Sequence, residues 1–296
     1  MEPGSTFKTI SMMAALDDGK VEMDDTIRVY RNGWSYHGSK HTDAHPADTI
    51  YNIRQAMAVS SNIALAKIVT EGYGGSAKKF VKKLKNMGLC DSVDYTIPGA
   101  KQALINVPND TVTISKMAYG YSVELSPLQM LTFYNGIAND GKMITPLIVK
   151  EIRKNGKVIE EFESSVIRSS MCSDATLESI RECLHDVVWN DTLGTASVNP
   201  WGTRKAQSDL VAIAGKTGTA QILEKAYSNR RHRMSFVGYF PEENPQYTCI
   251  CVIHGPQWPY DAGMDCGSVV RHIAEKTMAY AGEYVIKNGE LVMVVR

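Results

Sequence analysis

The sequence lacks any long hydrophobic run, and no window approaches the ~18–20 apolar residues of a membrane-spanning helix. It also begins without the basic and then apolar pattern of a secretory signal peptide. Neither sign of charge predominates, since 32 basic side chains balance 32 acidic ones in 296 residues. The basic excess typical of proteins that bind nucleic acids or anionic membranes is therefore missing. What remains, 44% hydrophobic and 22% charged, is the composition of an ordinary globular chain.

Cysteine is sparse and forms no recognisable pattern. None of the six cysteines lies in a Cys-x-x-Cys pair or at a spacing typical of zinc sites. We therefore predict buried free thiols and no cofactor. Cys249 and Cys251 lie two apart in an apolar segment, so on a strand their side chains would share a face.

Three histidines, His37, His41 and His45, are spaced four apart, as metal ligands on one helix face would be. Gly38 and Pro46 interrupt the segment and favour a loop instead. We predict a surface loop near the functional cleft and no bound metal.

The stretch AIAGKTGTAQ, residues 212–221, contains the Gly-Lys-Thr that ends a phosphate-binding loop. Such a loop needs a glycine five positions before Gly215, and Leu210 stands there. The apolar, β-branched flank predicts one strand running through the motif rather than a strand, a loop and a helix. The sequence thus excludes a phosphate-binding loop and leaves Lys-Thr-Gly to be explained.

Periodicity divides the chain into a mostly helical lobe, residues 5–205, and a sheet lobe, residues 206–282. An Asn-Gly pair at Asn155-Gly156 predicts a hairpin, and a second pair predicts a hairpin or tail over residues 283–296. Helices are predicted for STFKTISMMAALDDG, DTIYNIRQAMAV, SSNIALAKIVTEG, SAKKFVKKLKNMG, SPLQMLTFYNGIAND, SDATLESIRECLHDVVWN and MDCGSVVRHIAEKTMAYAG. Strands are predicted for LVAIAGKTGTAQIL, MSFVGYF and QYTCICVIHG. This order predicts a mixed α and β fold, with helices covering an antiparallel sheet and a site in the cleft between the lobes.

Three short motifs together indicate catalysis by a serine nucleophile. They are Ser5-Thr6-Phe7-Lys8, Ser60-Ser61-Asn62 and Lys216-Thr217-Gly218-Thr219. Ser-x-x-Lys, Ser-x-Asn and Lys-Thr-Gly are together the signature of serine β-lactamases and penicillin-binding proteins. On a helix, three-residue spacing puts Lys8 on the side of Ser5. A serine becomes a nucleophile when a base takes its proton, and burial beside a second cation lowers a lysine pKa toward neutrality.

Each remaining motif residue has an expected role. Ser60 relays a proton to the leaving amine, and the Asn62 amide holds the substrate. On the strand, the charge of Lys216 and the hydroxyls of Thr217 and Thr219 bind a substrate carboxylate. Gly218 keeps the strand free of bulk alongside the substrate. The backbone N–H groups of Ser5 and Thr219 form the oxyanion hole.

Order and context give these motifs their weight, because each is short. Ser-x-x-Lys recurs at Ser76–Lys79 in a lysine-rich helix, where a solvated face explains it. Ser-x-Asn recurs at Ser197–Asn199 in a loop-like segment. Only the first set combines a serine that opens a helix, a serine between two helices and a lysine on a strand.

The segments EPGSTFK, AVSSN, SPLQMLTFYNGIANDGKMITPLIVKEI, AGKTGTAQ and SFVGYFP resemble the transpeptidase domain of class B penicillin-binding proteins, nearest to the division-type D,D-transpeptidases. The resemblance covers most of residues 2–282 and implies a transpeptidase domain over residues 1–282. It implies that Ser5 attacks peptidoglycan stem peptides ending in D-Ala-D-Ala, that an amine from a neighbouring stem resolves the acyl-enzyme, and that β-lactams acylate Ser5.

The resemblance also implies a setting. Family members carry strands and a helix before the nucleophile, so we expect an N-terminally truncated chain, unless the C-terminal hairpin replaces those strands. It further implies that the full-length protein lies at the periplasmic or extracytoplasmic face of the inner membrane, with partners among cell-division or cell-wall synthesis proteins.

Three alternatives share the motifs. A D,D-carboxypeptidase would use water as the acceptor, and a β-lactamase would hydrolyse its acyl-enzyme quickly. No Glu-x-x-x-Asn that would serve class A deacylation lies on a loop between the second and third motifs. A non-catalytic penicillin-binding fragment or sensor would be acylated without turnover.

Overall fold

The structure is a computed structural model that describes residues 1–91, 100–105, 107, 110–222, 231–256, 261–281, 284–287 and 290–293. Its helices are α1 (Phe7–Asp17), α2 (Ile53–Ala58), α3 (Asn62–Gly72), α4 (Ala77–Asn86), α5 (Thr113–Met117), α6 (Pro127–Ala138), α7 (Asp174–Trp189) and α8 (Ser268–Tyr280). Its strands are β1 (Thr26–Val29), β2 (Trp34–Tyr36), β3 (Ser39–His41), β4 (Thr49–Asn52), β5 (Met143–Ile144), β6 (Glu151–Lys154), β7 (Lys157–Glu161), β8 (Val166–Arg168), β9 (Ala214–Ile222), β10 (Arg231–Phe240), β11 (Tyr247–His254), β12 (Tyr284–Lys287) and β13 (Glu290–Met293).

A three-stranded antiparallel sheet carries the Lys-Thr-Gly motif. β10 lies in the centre, with β9 on one side and β11 on the other. Val237 in β10 is opposite Lys216 in β9 and Ile250 in β11. The three predicted strands are therefore confirmed. Because β9 runs without interruption through the motif, the exclusion of a phosphate-binding loop is confirmed as well.

The sheet separates two hydrophobic clusters, because successive side chains of a strand point to opposite faces. Val237 and Tyr239 join the cluster built largely from α1, α3, α4 and α6. Phe236 and Phe240 join the cluster that includes α8 and the end of α7. Burying one large apolar side chain contributes roughly 1.5–3 kcal/mol. These contacts fix β9 and α1 relative to each other, and both carry predicted site residues.

Local signals in the sequence set the helix boundaries well. The Ser126 hydroxyl caps α6 by accepting from the Gln129 backbone N–H. The Gln129 side chain in turn accepts from the Ser126 backbone N–H, and Pro127 occupies the first turn. In α4, Phe80 is buried while Lys78 and Lys79 are exposed, as an amphipathic helix requires. The prediction of helices at these positions is confirmed.

The region before α2 differs from the expectation. The sequence predicts one helix over residues 48–59, but Thr49–Asn52 form β4, which pairs with β1. Asn52 then caps α2, so the helix begins only at Ile53. A second small hairpin, β2–β3, lies in the segment predicted as a loop. Strands of three or four residues are too short to show a period of two in the sequence.

The two predicted hairpins also form. β6 and β7 flank Asn155 and Gly156, which both have positive φ, as a tight hairpin turn requires. β12 pairs with β13, whereas the Asn-Gly turn between them lies outside the described residues. Within the described part of the chain, this hairpin forms a sheet of its own beside α8 and does not join β9–β11. The idea that it substitutes for strands of the central sheet was therefore wrong.

All six cysteines are free thiols, as predicted. Cys183 and Cys266 are buried and the other four are only partly so, which corrects the expectation of general burial. Cys249 and Cys251 both lie against the second cluster and so share a face of β11. No helix among the described residues is long and apolar enough to span a membrane.

Candidate active site

Ser5 lies in a 3₁₀ turn, Gly4–Thr6, that leads directly into α1. Hydrogen bonds to residues outside α1 hold this turn in place. The backbone N–H of Gly4 donates to the Gly120 carbonyl at 3.3 Å, and the Tyr134 hydroxyl donates to the Thr6 carbonyl at 2.9 Å. The Ser5 side chain is half-buried and lines a cleft. Lys8 follows one turn later, as the Ser-x-x-Lys spacing predicted.

Lys8 is fully buried and connects the first motif to the second. Its Nζ donates to the Ser60 hydroxyl at 3.0 Å and also to the Ser60 carbonyl. Burial lowers the pKa of Lys8 to about 7, while the nearby Asp43 carboxylate acts in the opposite direction. A substantial fraction of Lys8 is therefore a neutral amine at pH 7, in contrast to an exposed lysine.

Ser60 lies between the end of α2 and the start of α3, as predicted. Its φ is 58°, the left-handed region that residues with a side chain seldom adopt. Such a conformation costs about 1–3 kcal/mol and persists only where the surroundings hold it. The strained residue is the one whose hydroxyl and carbonyl both contact Lys8.

Asn62 is the first residue of α3 and also lines the cleft. Its Nδ2 donates to the Thr42 carbonyl at 2.8 Å. The amide is thus held by the loop that follows β3.

Lys216, in β9, is fully buried like Lys8. Its Nζ donates to the Thr217 carbonyl at 3.3 Å and to the Thr217 hydroxyl at 3.4 Å. Burial, followed by the charge of Lys8, lowers its pKa well below that of an ordinary lysine. Lys216 is not among the residues that line the cleft, whereas Thr217 and Thr219 are. Its Nζ nevertheless lies beside the hydroxyl of Thr217, which does line the cleft, and the role of its charge in binding a substrate carboxylate stays a prediction.

Close packing requires a glycine at position 218. A Cβ at this position would lie 2.5 Å from the Ser235 Oγ and 2.8 Å from the Thr6 Cγ2. The missing side chain therefore lets β9 approach the turn that carries Ser5. That the glycine also leaves room for substrate beside the strand stays a prediction.

The cleft has a volume of about 460 Å³, within the range of small-molecule sites. It brings together Ser5, Ser60, Asn62, Thr217 and Thr219 from the three motifs. Sequence reasoning missed several other lining residues, because they come from separate loops and strands without a motif. These are Thr42, Asp43, Ala44, Val59, Tyr119, Tyr121, Thr195, Lys205, Gln221, His232, Asp261, Ala262 and Gly263.

Three of the missed residues make polar contacts in the cleft lining. The Thr195 and Thr217 hydroxyls lie 2.7 Å apart, so each restricts the rotamer of the other. Lys205 donates to Asp261 at 2.8 Å and forms an ion pair with it. No local sequence pattern would have indicated either contact.

The segment with the three spaced histidines places one of them at the cleft and another in the core. His45 lines the cleft, in agreement with the predicted position of the loop. His41 instead is buried on β3, and its Nδ1 lies 2.8 Å from the Tyr119 hydroxyl. Burial, with a smaller effect of Lys116, lowers the pKa of His41 to about 4. Among the described residues, no three metal-ligating side chains cluster.

A second cavity, of about 820 Å³, is larger but chemically different. It lies between α7 and the turn after β10 and contains none of the motif residues. Most of its charges are already neutralised in ion pairs, such as Arg54 with Asp186 at 2.7 Å and His185 with Glu242 at 2.8 Å. We therefore identify the smaller cleft, where the motifs converge, as the candidate active site.

A Ser-x-x-Lys turn, packed against an antiparallel sheet that carries Lys-Thr-Gly, defines the class of penicillin-recognising serine enzymes. The comparisons agree. The model of the penicillin binding protein transpeptidase domain matches residues 1–279. The chain therefore belongs to the penicillin-binding-protein transpeptidase family.

Curated relatives agree with this assignment. A peptidoglycan D,D-transpeptidase FtsI homolog from Mesostigma viride is 26% identical over 93% of this chain, and the penicillin-binding protein PbpB of Mycolicibacterium smegmatis is 27% identical over 86%. The alignments span 48% and 39% of those two relatives.

Among solved structures, penicillin-binding protein 2X of Streptococcus thermophilus matches with a TM-score of 0.81 and 20% identity, over 94% of this chain and 41% of that one. Penicillin-binding protein 3 of Mycobacterium tuberculosis, complexed with aztreonam, matches with a TM-score of 0.78 and 22% identity, over 100% of this chain and 66% of that one. The predicted mixed α and β transpeptidase-like fold is confirmed.

Proposed function

We propose that this chain is the acylating domain of a peptidoglycan D,D-transpeptidase and a target of β-lactams. The observation that carries the proposal is the hydrogen bond from the buried Lys8 amine to Ser60, because Lys8 follows Ser5 by one turn and both serines line the same cleft. Family membership supplies the class of reaction. The substrates would be stem peptides that end in D-Ala-D-Ala.

The residues suggest one sequence of proton transfers. Neutral Lys8 accepts the Ser5 proton while the Ser5 oxygen forms a bond to the carbonyl carbon of the penultimate D-Ala. The backbone N–H groups of Ser5 and Thr219 stabilise the developing oxyanion. The amide C–N bond then breaks, Ser60 passes a proton to the departing D-Ala amine, and an acyl-Ser5 ester remains. An amine from a second stem peptide then attacks the ester carbonyl and forms the amide cross-link. The bond to the Ser5 oxygen breaks, and the proton that the amine loses returns to Ser5.

Other residues hold the substrate in this scheme. The Asn62 amide binds the backbone of the stem peptide, and the Thr217 and Thr219 hydroxyls bind its terminal carboxylate. Lys216 contributes its charge to the same carboxylate site from its position beside the Thr217 hydroxyl. In a longer protein the domain would work outside the cytoplasm, beside other cell-wall synthesis or division proteins. We also propose that the domain divides near residue 205 into a helical lobe and a sheet lobe.

A stem-peptide thioester tests the reaction and separates the alternatives. We expect the protein to release the thiol and, when a D-amino acid is added as acceptor, to form the aminolysis product at the expense of the hydrolysis product. Hydrolysis that the acceptor does not divert would indicate a carboxypeptidase. Rapid turnover of penicillin would indicate a β-lactamase. Stable acylation by penicillin without thioester turnover would indicate a sensor.

A further inference from the structure

The loop that follows β3 places a carboxylate at the start of α3. Asp43 Oδ1 accepts from the backbone N–H groups of Asn62 at 2.6 Å and Ile63 at 3.0 Å. Its Oδ2 accepts from the Ser61 hydroxyl at 2.8 Å. One side chain, 18 to 20 residues away in sequence, thus holds three consecutive residues: Ser61 and Asn62 of the second motif and Ile63 after them.

The loop is itself anchored on the N-terminal side of this contact. The preceding His41 is buried, with its Nδ1 2.8 Å from the Tyr119 hydroxyl. The adjacent Thr42 carbonyl accepts from the Asn62 side chain at 2.8 Å. Contacts of the two residues before Asp43 therefore help to fix its position.

We propose that Asp43 is a positioning residue for the acyl transfer, which holds Ser61, Asn62 and Ile63 and thereby keeps Ser60 and Asn62 in place at the cleft. The inference rests on the proposed function. Ser60 has φ 58°, a strained conformation that needs such support. The negative charge at the N-terminus of α3, an 11-residue helix, is also favourable. We call these three hydrogen bonds of Asp43 the clamp. Without the clamp, the turn that carries Ser60 is free to relax away from Lys8.

Asp43 also acts on Lys8 through its charge. It is the group that opposes the effect of burial on the Lys8 pKa. The other buried cation beside Lys8 is Lys216, from β9. Titratable groups elsewhere in the cleft lining are His45, Tyr119, Tyr121, Lys205, His232 and Asp261. Removing the Asp43 charge should therefore make Lys8 lose its proton at lower pH.

Two substitutions separate the clamp from the charge. Asp43→Asn keeps an oxygen for the two backbone N–H groups and removes the charge. We expect the pH midpoint, at which the rate constant for Ser5 acylation by benzylpenicillin reaches half its plateau, to fall by roughly one pH unit. Asp43→Ala removes the clamp as well, and we expect its plateau rate constant to fall about tenfold or more.

The matched control is Asp48→Asn. Asp48 lies on the same loop, pairs with exposed Arg31 at 3.7 Å and does not line the cleft. We expect its pH profile and plateau to equal those of the wild type.

The positioning role is overturned if folded Asp43→Ala keeps the plateau of the wild type, whatever its pH midpoint. If Asp43→Ala does not fold by circular dichroism, the plateau of Asp43→Asn decides, because an amide nitrogen cannot accept from the Ser61 hydroxyl as Oδ2 does. A plateau of Asp43→Asn equal to that of the wild type then overturns the role. Absence of acylation in the wild type would refute the proposed function instead, so the two failures are distinguishable.

Discussion

Lys8 on α1 and Lys216 on β9 are both fully buried, and the charge of Lys8 lowers the pKa of Lys216. Such coupling is mutual, so a proton on either lysine weakens proton binding at the other. Two buried cations side by side are costly to stability. The arrangement makes sense where one of them must be a neutral base near pH 7.

The acylation rate should therefore follow the protonation of Lys8. We predict that the rate constant for acylation by a fluorescent penicillin rises with pH and reaches half its plateau near pH 7, because the Lys8 pKa is about 7. Rates at a series of pH values, read from labelled protein on gels, test this. Lys8→Ala should be slower by about 10²–10⁴-fold at the plateau.

Lys79→Ala is the control for that experiment, since Lys79 ends the other Ser-x-x-Lys match and is exposed. It should behave as the wild type does. A wild-type rate that falls as pH rises from 6 to 8 would contradict the assignment of Lys8 as the base.

The same pKa predicts a pH-dependent stability. The folded-state pKa of Lys8, about 7, lies below the ordinary value of 10.5. Between these values the unfolded chain binds a proton that the folded protein does not, so the contribution of Lys8 to stability falls as pH falls from 10.5 to 7. We predict that Lys8→Met is more stable than the wild type at pH 6, by about 1–4 kcal/mol.

Denaturant unfolding at pH 6 and near pH 10 measures this difference. The gain should shrink at the higher pH, and the exposed control Lys79→Met should show neither effect. A Lys8→Met variant that is less stable than the wild type at pH 6 would show that burial of this lysine carries no penalty.

Gly120 supports the backbone in front of Ser5. It has φ +90°, and a Cβ there would lie 2.1 Å from the Gly4 carbonyl oxygen. We predict that Gly120→Ala lowers the unfolding free energy by more than about 1 kcal/mol and slows acylation about tenfold or more, because the turn that carries Ser5 must shift. Thermal melts and penicillin labelling provide the two measurements.

Gly202→Ala is the matched control, since Gly202 has φ +77° but no atom lies within 4 Å of the position that its Cβ would take. It should lose stability through backbone strain alone and keep its acylation rate. Equal acylation in the two variants would mean that the contact with Gly4 does not position Ser5.

Much of this fold was predictable because its signals are local. Consecutive residues indicate the start of α6 at Ser126-Pro127, and the apolar residues before Lys216 indicate strand β9. The position of Ser60 between two helices followed from the same kind of pattern.

The rest depended on contacts between distant segments. Asp43 and Thr195 reach the site only because the chain brings their loops against α3 and β9. The burial of Lys216 near Lys8 follows from how distant segments pack around β9, and the sequence of β9 alone does not show that. Burial of Gly218 against Thr6 has the same origin.

Intact mass spectrometry after incubation with benzylpenicillin tests the central claim most directly, with Ser5→Ala and Ser76→Ala measured in parallel. Ser76 begins the second Ser-x-x-Lys match and caps α4, so its loss affects only that helix. We predict one penicillin adduct on the wild type and on Ser76→Ala, and none on Ser5→Ala. An adduct retained in Ser5→Ala would contradict the assignment of Ser5 as the nucleophile.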